Sequence, residues 1–306
     1  MSITVFVRIM TRRDFIKVLL AGTLYTAARP LFAQPLLGSY DVGIAVGAVV
    51  ERAVRRAIDL VGGIRRYVKP GDKVVVKPNI AWNSPPHLKA DTDPLVVRAV
   101  VHLCFEALAS KVYVFDRTCS NPKLSYVTSG IARAAKEAGA DVLFVDTVNS
   151  RDYKKIKVPG GVFLTESLVN RTLLESDVLI NVPVAKHHGS AGLTMGMKNL
   201  MGITGDNRNK WHWQLHDAIS DINLAVKSHL TVIDATSIML KNGPTGGSTS
   251  YLKKLDTIIA SPNVVQADSQ ASTLFGVEPG SIGYLRLAER KGIGALKGYT
   301  AKAETV

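Results

Sequence analysis

Five short stretches of this chain, DKVVVKPN (72–79), KVYVFD (111–116), DVLFVD (141–146), DVLINV (177–182) and HLTVIDA (229–235), are apolar at consecutive positions rather than at every second one. A strand with one face in water alternates, whereas a strand buried on both faces does not. Burial of both faces is the rule in parallel sheets whose crossover helices cover each side. Helical spacing fills the intervals. ERAVRRAIDLVGGI (51–64) puts Ala53, Val54, Ala57, Ile58 and Val61 on one side, and DPLVVRAVVHLCFEALA (93–109) opens with aspartate and proline, a helix start. TSGIARAAKEAGA (128–140) and QLHDAISDINLAVKS (214–228) repeat the theme. The expected fold is therefore α/β, a mainly parallel sheet with helices on both faces. GIAVGAVV (43–50) and TIIAS (257–261) read as further strands, TESLVNRTLLE (165–175) as a helix and ADSQASTLFG (267–276) as the last helix. KKIKVPGGVFL (154–164) is β-like, which makes residues 147–175 a candidate small inserted β/α subdomain within one domain spanning 34–306. No firm pattern follows Gly292.

Residues 1–33 do not belong to that pattern. TRRDFIK (11–17) places paired arginines ahead of the apolar, small-residue run VLLAGTLYTAA, and Ala33 stands at a cleavage-like point. A charged start, a short apolar middle and a small-residue end make an export signal. The pattern resembles the twin-arginine signal, with Ile16 where leucine is usual. That resemblance implies export of an already folded protein by the twin-arginine machinery, a periplasmic or extracytoplasmic location, and folding around any cofactor before export. An uncleaved anchor is the competing reading, but the apolar middle is shorter than the roughly 20 residues a spanning helix needs. Met10 is a candidate alternative start. Losing residues 1–33 removes five basic side chains and one acid, so the net charge of +13 falls by four and stays basic. The basic residues are scattered, and an exported protein seldom meets nucleic acid, so anionic small molecules are the expected partners and nucleic acid is not. Of the two cysteines, Cys104 lies in a helical apolar pattern and Cys119 in a loop; both are expected to be unpaired. Two cysteines without a C-x-x-C run cannot ligate an iron–sulfur cluster alone, so none is expected within this chain.

In open parallel sheets, ligands sit beyond the carboxyl ends of the strands. Here those ends are Lys77–Pro78–Asn79, Asp116–Arg117, Asp146, Asn181 through His188, and Asp234. Turn chemistry accounts for aspartate and asparagine at such places, but not for lysine at two of them. A converging site is the expectation. The segment VPVAKHHGSAGLTMGMKNLMG (182–202) adds Gly189, Gly192, Gly196 and Gly202, which let backbone N–H groups approach a ligand, and Lys186 and Lys198, which add charge. Close helix–sheet packing is the plainer use of such glycines. Four of the seven histidines, His187, His188, His212 and His216, fall within this region, and His212 and His216 are four apart, a spacing that shares one helix face. With His188 they form the candidate metal set for a divalent ion, although the residue after His212 is Trp213, so the H-E-x-x-H pattern is absent. Neither G-x-G-x-x-G nor G-x-x-x-x-G-K-[ST] nor G-x-S-x-G occurs, which disfavours standard dinucleotide, P-loop and serine-hydrolase sites. KNGPTGGSTS (241–250) is a second glycine loop.

Taken in order, VVVKPN, DTDP, DVLINVPVAKHH…GLTMGMKNLMG, WHWQLHDAISDI, VIDATSIMLKNGPTGG and IIASPNVVQADSQA resemble the domain of unknown function 362 family over residues 41 to 280. By position, the resemblance carries that family's polar signature onto Lys77, Asn79, Lys186, His188, Lys198, Asn199, His216, Asp234, Gly243, Pro244 and Asp268. His187 falls between two signature positions and is the less critical of its pair. Some family members have a ferredoxin-like module fused to the same domain; no such module is visible here.

These readings converge on an exported α/β protein that binds a small anionic ligand or cofactor, with a divalent metal as a candidate addition. Lys77, Lys186 and Lys198 supply charge, and Asn79 and Asn199 orient donors; Gly196, Asp234 and Gly243 complete the cofactor-binding candidates. Lys186, His188 and His216 are the catalytic candidates, since imidazole titrates near working pH. Asp234 would orient an imidazole or join a metal shell. An isomerase-like, hydrolytic or redox-associated reaction fits such a group. The alternative is an accessory or maturation protein for an exported iron–sulfur or other redox complex, with a redox protein as partner.

Overall fold

A computed structural model of the chain describes residues 39–145 and 150–306. The export-type segment and the strand end at Asp146 lie outside the described residues. From the amino end the elements are β1 (Val42–Val46), α1 (Val50–Leu60), β2 (Lys73–Pro78), α2 (Pro94–Glu106), β3 (Lys111–Val114), α3 (Pro122–Thr128), α4 (Ile131–Glu137) and β4 (Asp141–Val142). There follow β5 (Tyr153–Lys157), β6 (Glu166–Asn170), β7 (Val178–Val182), β8 (Val184–His188) and β9 (Gly192–Thr194). The last are α5 (Leu215–Ala225), β10 (Leu230–Met239), β11 (Leu252–Ser261), α6 (Val264–Thr273), α7 (Gly283–Arg290) and β12 (Ala301–Thr305), with short helical turns between.

Consecutive apolar residues are needed because the main sheet has a core on each side. In β2, Val74 and Val76 enter one core while Val75 enters the other. The same split holds in β7 for Ile180 and Leu179, and in β10 for Val232 and Ile233. Helices α1, α2 and α4 cover the first face, and α5, α6 and α7 the second. Local signals start the helices: Asp93 caps α2 where the sequence places it, by accepting from Leu95 N, whereas Asn263 caps α6 through Val265 N and Gln266 N and starts it three residues before the expected ADSQASTLFG, a contribution of about 1 kcal/mol each.

The strand order is β12-β1-β11-β10-β7-β2-β3-β4. From β10 to β4 every pair is parallel, whereas β11 runs antiparallel to both β10 and β1, and β12 is parallel to β1. Past its pairing with β7, β10 continues alongside β8, and β8 folds back on β9. The fold is thus α/β, with a mixed and mostly parallel sheet. Several local readings change. The helix expected at ADSQASTLFG is not the last, because α7 follows it. TESLVNRTLLE is a strand, β6, followed by a four-residue helical turn, because Ser167 and Val169 alternate inward as β6 pairs with β5 in a separate two-stranded sheet. The residues after Gly292 include an edge strand, β12. His212 and His216 do not share a helix face: His212 sits in a short 3-10 turn, and Gln214, at φ −138° and ψ 60°, separates that turn from α5. Both cysteines are free, Cys104 buried and Cys119 exposed. Among the described residues, no helix is long and apolar enough to cross a membrane.

Candidate functional site

At the carboxyl ends of β2 and β3, Lys77 is completely buried. Its ammonium donates to Pro78 O at 2.7 Å and to Asn199 Oδ1 at 2.9 Å, and forms an ion pair of 2.8 Å with Asp116 Oδ1. Burial pulls its proton affinity down, and Asp116 opposes that. The pair leaves no room above it. A Cβ on Gly202 would stand 1.7 Å from Asp116 Oδ1 and 2.8 Å from Lys77 Nζ, so only glycine fits.

A chain of amides then links the ends of β2 and β7 through the helical turn Gly196–Asn199. Asn79 Nδ2 donates to Asn199 Oδ1 at 3.1 Å, Asn199 Nδ2 to Asn181 Oδ1 at 2.8 Å, and Asn181 Nδ2 to Gly196 O at 2.8 Å. Lys186, on β8, donates to Asn79 Oδ1 at 3.1 Å and to Ala90 O. Burial lowers the proton affinity of Lys186 and raises that of the nearby Asp91 carboxyl, and the opposite charges offset part of both effects. The three amide side chains are fully partnered, which fixes their geometry, whereas Asp91 Oδ2 is buried without a hydrogen-bond partner.

Lys198 differs from the other two. It sits in a four-residue helical turn, Gly196–Asn199, whose first N–H groups, Gly196 N and Met197 N, donate to the two oxygens of Asp268 at 2.6 and 2.9 Å. Lys198 itself is partly buried and lines the cavity. Among the described residues it makes no hydrogen bond or ion pair. Burial, then the neighbouring Lys186 charge, lowers its pKa to about 8.

His188 completes this wall. Its Nδ1 accepts from Ser190 N and Ala191 N, both at 3.2 Å. Burial first, then Lys198 and Lys186, pull its pKa down to about 3. A neutral ring whose Nδ1 accepts carries its proton on Nε2. His188 is therefore a hydrogen-bond donor at neutral pH rather than the acid–base group expected from sequence.

These side chains surround a cavity of about 530 Å³, lined also by Trp82, Thr118, Cys119, Thr194, Asn207, Asn209, His212 and Pro244. That volume suits a small-molecule ligand. Lys77, Lys186, Lys198, Arg117 and Arg208 line it against a single carboxylate, Asp116. Both guanidinium groups also staple the rim. Arg117 donates to Thr204 O and Asp206 O at 2.9 and 2.6 Å, and Arg208 to Arg117 O and Thr118 O at 2.8 and 2.6 Å.

The structure thus brings Lys77, Asn79, Lys186, His188, Lys198, Asn199 and His212 to one cavity and leaves other candidates outside it. His216 lines a second, more apolar cavity of about 390 Å³ with His187, Leu240 and Phe275, its ring stacked 6.2 Å from Tyr284. The reason is the alternation of β8: Lys186 and His188 point to one side and His187 to the other. His188 and His212 share the first cavity, but the break at Gln214 keeps His216 from joining them, and among the described residues no three His, Cys, Asp or Glu side chains are grouped to hold a metal ion. Asp234 is committed to Asp93 N at 2.8 Å and to the Thr236 N–H and hydroxyl at 3.0 and 2.6 Å, so it braces the start of α2 instead of an imidazole. Gly196 and Gly243 are packing glycines. The Gly196 N–H is taken by Asp268, and a Cβ on Gly243 would stand 2.0 Å from His187 O. Sequence reasoning missed Arg208 and the role of Arg117. Arg208 lies in the polar run GDNRNK directly after the glycine segment, and that position was its only signal.

The chain is 26% identical over 269 residues to the Thylakoid-associated protein sll1697 of Synechocystis sp., a match covering 83% of this chain and 77% of that protein. The lactate racemase apoprotein from Thermoanaerobacterium thermosaccharolyticum is similar in structure with a TM-score of 0.47 and 13% identity, over 76% of this chain and 56% of that one, so this chain spans little more than half its length. Residues 74–273, which hold every cavity-lining side chain described above, match the model of the Domain of unknown function (DUF362), and the chain belongs to that family.

Proposed function

We propose that the strand-end cavity binds a small organic or inorganic anion. One observation carries the reading: Lys198 brings a positive charge into the cavity with no protein partner among the described residues. Lys77 is balanced by Asp116, and Lys186 is spent on Asn79 and Ala90. A partly desolvated cation without a counter-charge is unfavourable, and an anionic ligand removes that penalty. Arg117 and Arg208 retain N–H groups beyond those given to backbone carbonyls, and His188 offers its Nε2–H. A carboxylate or phosphate matches this set of donors. The proposal includes the exported location expected from the paired arginines of residues 11–17, with the ligand taken up before or after export.

The test is a thermal shift measured with oxalate and with inorganic phosphate, followed by native mass spectrometry. Ligand at about 100 times its dissociation constant adds roughly 2.7 kcal/mol of stability to the folded protein. The Lys198→Ala variant is expected to lose that shift without unfolding. If neither anion stabilises or is retained by the unaltered protein, the reading is wrong.

A further inference from the structure

The surroundings of Lys198 are suited to more than charge attraction. An amine attacks a carbonyl only when its nitrogen lone pair is free, and lysines become nucleophiles when desolvated or placed beside another cation. Both conditions hold at Lys198, which is partly buried with Lys186, Arg208 and Lys77 as cationic neighbours. Lys77 and Lys186 are excluded by their own hydrogen bonds.

We propose that Lys198 is a covalent anchor for a carbonyl-bearing anion, a 2-oxo acid or a carboxylated aldehyde, held as an imine on its Nζ. The inference rests on the anion-binding reading above. Arg117 and Arg208, or either alone, meet the carboxylate, and His188 Nε2–H donates to the carbonyl oxygen. His188 is suited to this because its neutral ring polarises the carbonyl without adding another positive charge next to Lys198.

The step balances without an oxidant or reductant. The lone pair of the neutral Lys198 amine forms the C–N bond, and the carbonyl π pair moves to oxygen, which takes a proton to become the hydroxyl of a carbinolamine. The nitrogen gives up its protons to solvent and oxygen, the C–O bond breaks, and one water leaves as C=N forms. The reverse reaction needs only that water. With a pKa of about 8, about a tenth of Lys198 is neutral at pH 7, against less than about a thousandth for an ordinary lysine.

The experiment is reductive trapping. The full chain is incubated with pyruvate and sodium cyanoborohydride, which reduces the imine to a stable secondary amine, and is then digested and mapped by mass spectrometry. The expected result is one adduct per chain, on Lys198, suppressed by excess oxalate. Lys198→Arg keeps a cation but has no amine able to form the imine, and is expected to lose the adduct at this position while melting like the parent. If the variant melts early, oxalate protection in the unaltered protein serves as the second measurement. An adduct spread equally over exposed lysines such as Lys157 and Lys253, or absent from Lys198, overturns the proposal. The two readings fail separately. Stabilisation by oxalate without a Lys198 adduct removes the imine and leaves anion binding standing, whereas no response to either oxalate or phosphate removes both.

Discussion

Lys77 meets Asp116, Asn199 and Pro78, Lys186 meets Asn79 and Ala90, and Lys198 meets no protein acceptor among the described residues. Residue type was legible in the sequence for all three, and strand-end position for Lys77 and Lys186; partners were not, because Asp116, Ala90 and Asn199 are distant in the chain. The difference predicts opposite outcomes. Lys186→Met strands the buried Asn79 Oδ1 and Ala90 O, and should cost about 2–3 kcal/mol in chemical denaturation. Lys198→Met removes a cation that the apo protein has not paired, and should stabilise it by about 1 kcal/mol near pH 7 while abolishing anion binding. The pH dependence follows from the same displacement. Lys198 titrates near 8 when folded and at 10.5 when free, so across that window the unfolded chain holds a proton the folded chain has lost, and stability rises with pH. Lys198→Met should flatten that rise. His188 acts at the acid end. Its folded pKa is about 3 against an ordinary 6.5, so stability is lost as pH falls below 6.5, and His188→Gln should lessen the loss. Asp268 has its pKa pushed up to about 7 by burial, which gives the opposite slope between 3.8 and 7, so the comparison must be between variant and parent at each pH.

Among the elements, β8 decides which histidine reaches the cavity. Its two-residue period was hidden because Pro183 precedes it and two histidines and a glycine follow the lysine, a composition that reads as a loop. Once β8 is seen as a strand paired with β10 and β9, the separation of His187 from His188 follows without further assumptions. The opposite error occurred at His212 and His216, where four-residue spacing implied a shared helix face that Gln214 breaks. Glycine content was legible, but its use was not, because the need for Gly202 arises from Lys77 and Asp116, more than eighty residues away in sequence. Gly202→Ala therefore tests the packing of the whole element. Its Cβ would overlap Asp116 Oδ1 and push apart a buried ion pair, and the expected loss is about 3–5 kcal/mol, read as a collapsed denaturation midpoint. Gly189→Ala, where a Cβ meets nothing within 4 Å, should leave that midpoint nearly unchanged.

Across the whole molecule, burial on both faces made the central strands readable, since each needs apolar residues at successive positions. Direction was not readable. TIIAS, in β11, is as apolar as its neighbours, yet it runs antiparallel to β10 and β1. The last strand was invisible for the reverse reason: AKAET lies at the sheet edge with four of its five side chains exposed and has no apolar run to signal it. This placement separates stability from binding. Three strands, β1, β11 and β10, stand between β12 and β7, and the cavity is built at the ends of β2, β3 and β8. Ending the chain after Thr300 would remove the pairing to β1, the 2.6 Å Arg56–Glu304 ion pair and the packing of Val306 against Gly47. A half-buried ion pair and one edge ladder are worth little, so the expected loss is about 1–3 kcal/mol. Phosphate affinity, measured by calorimetry on the shortened chain, should stay within about twofold of the parent, because the removed strand pairs with β1 and Arg56, neither of which lines the cavity. A large drop in affinity with little change in stability would mean that the cavity depends on the far edge of the sheet, and that the charge arrangement around Lys198 is not self-contained.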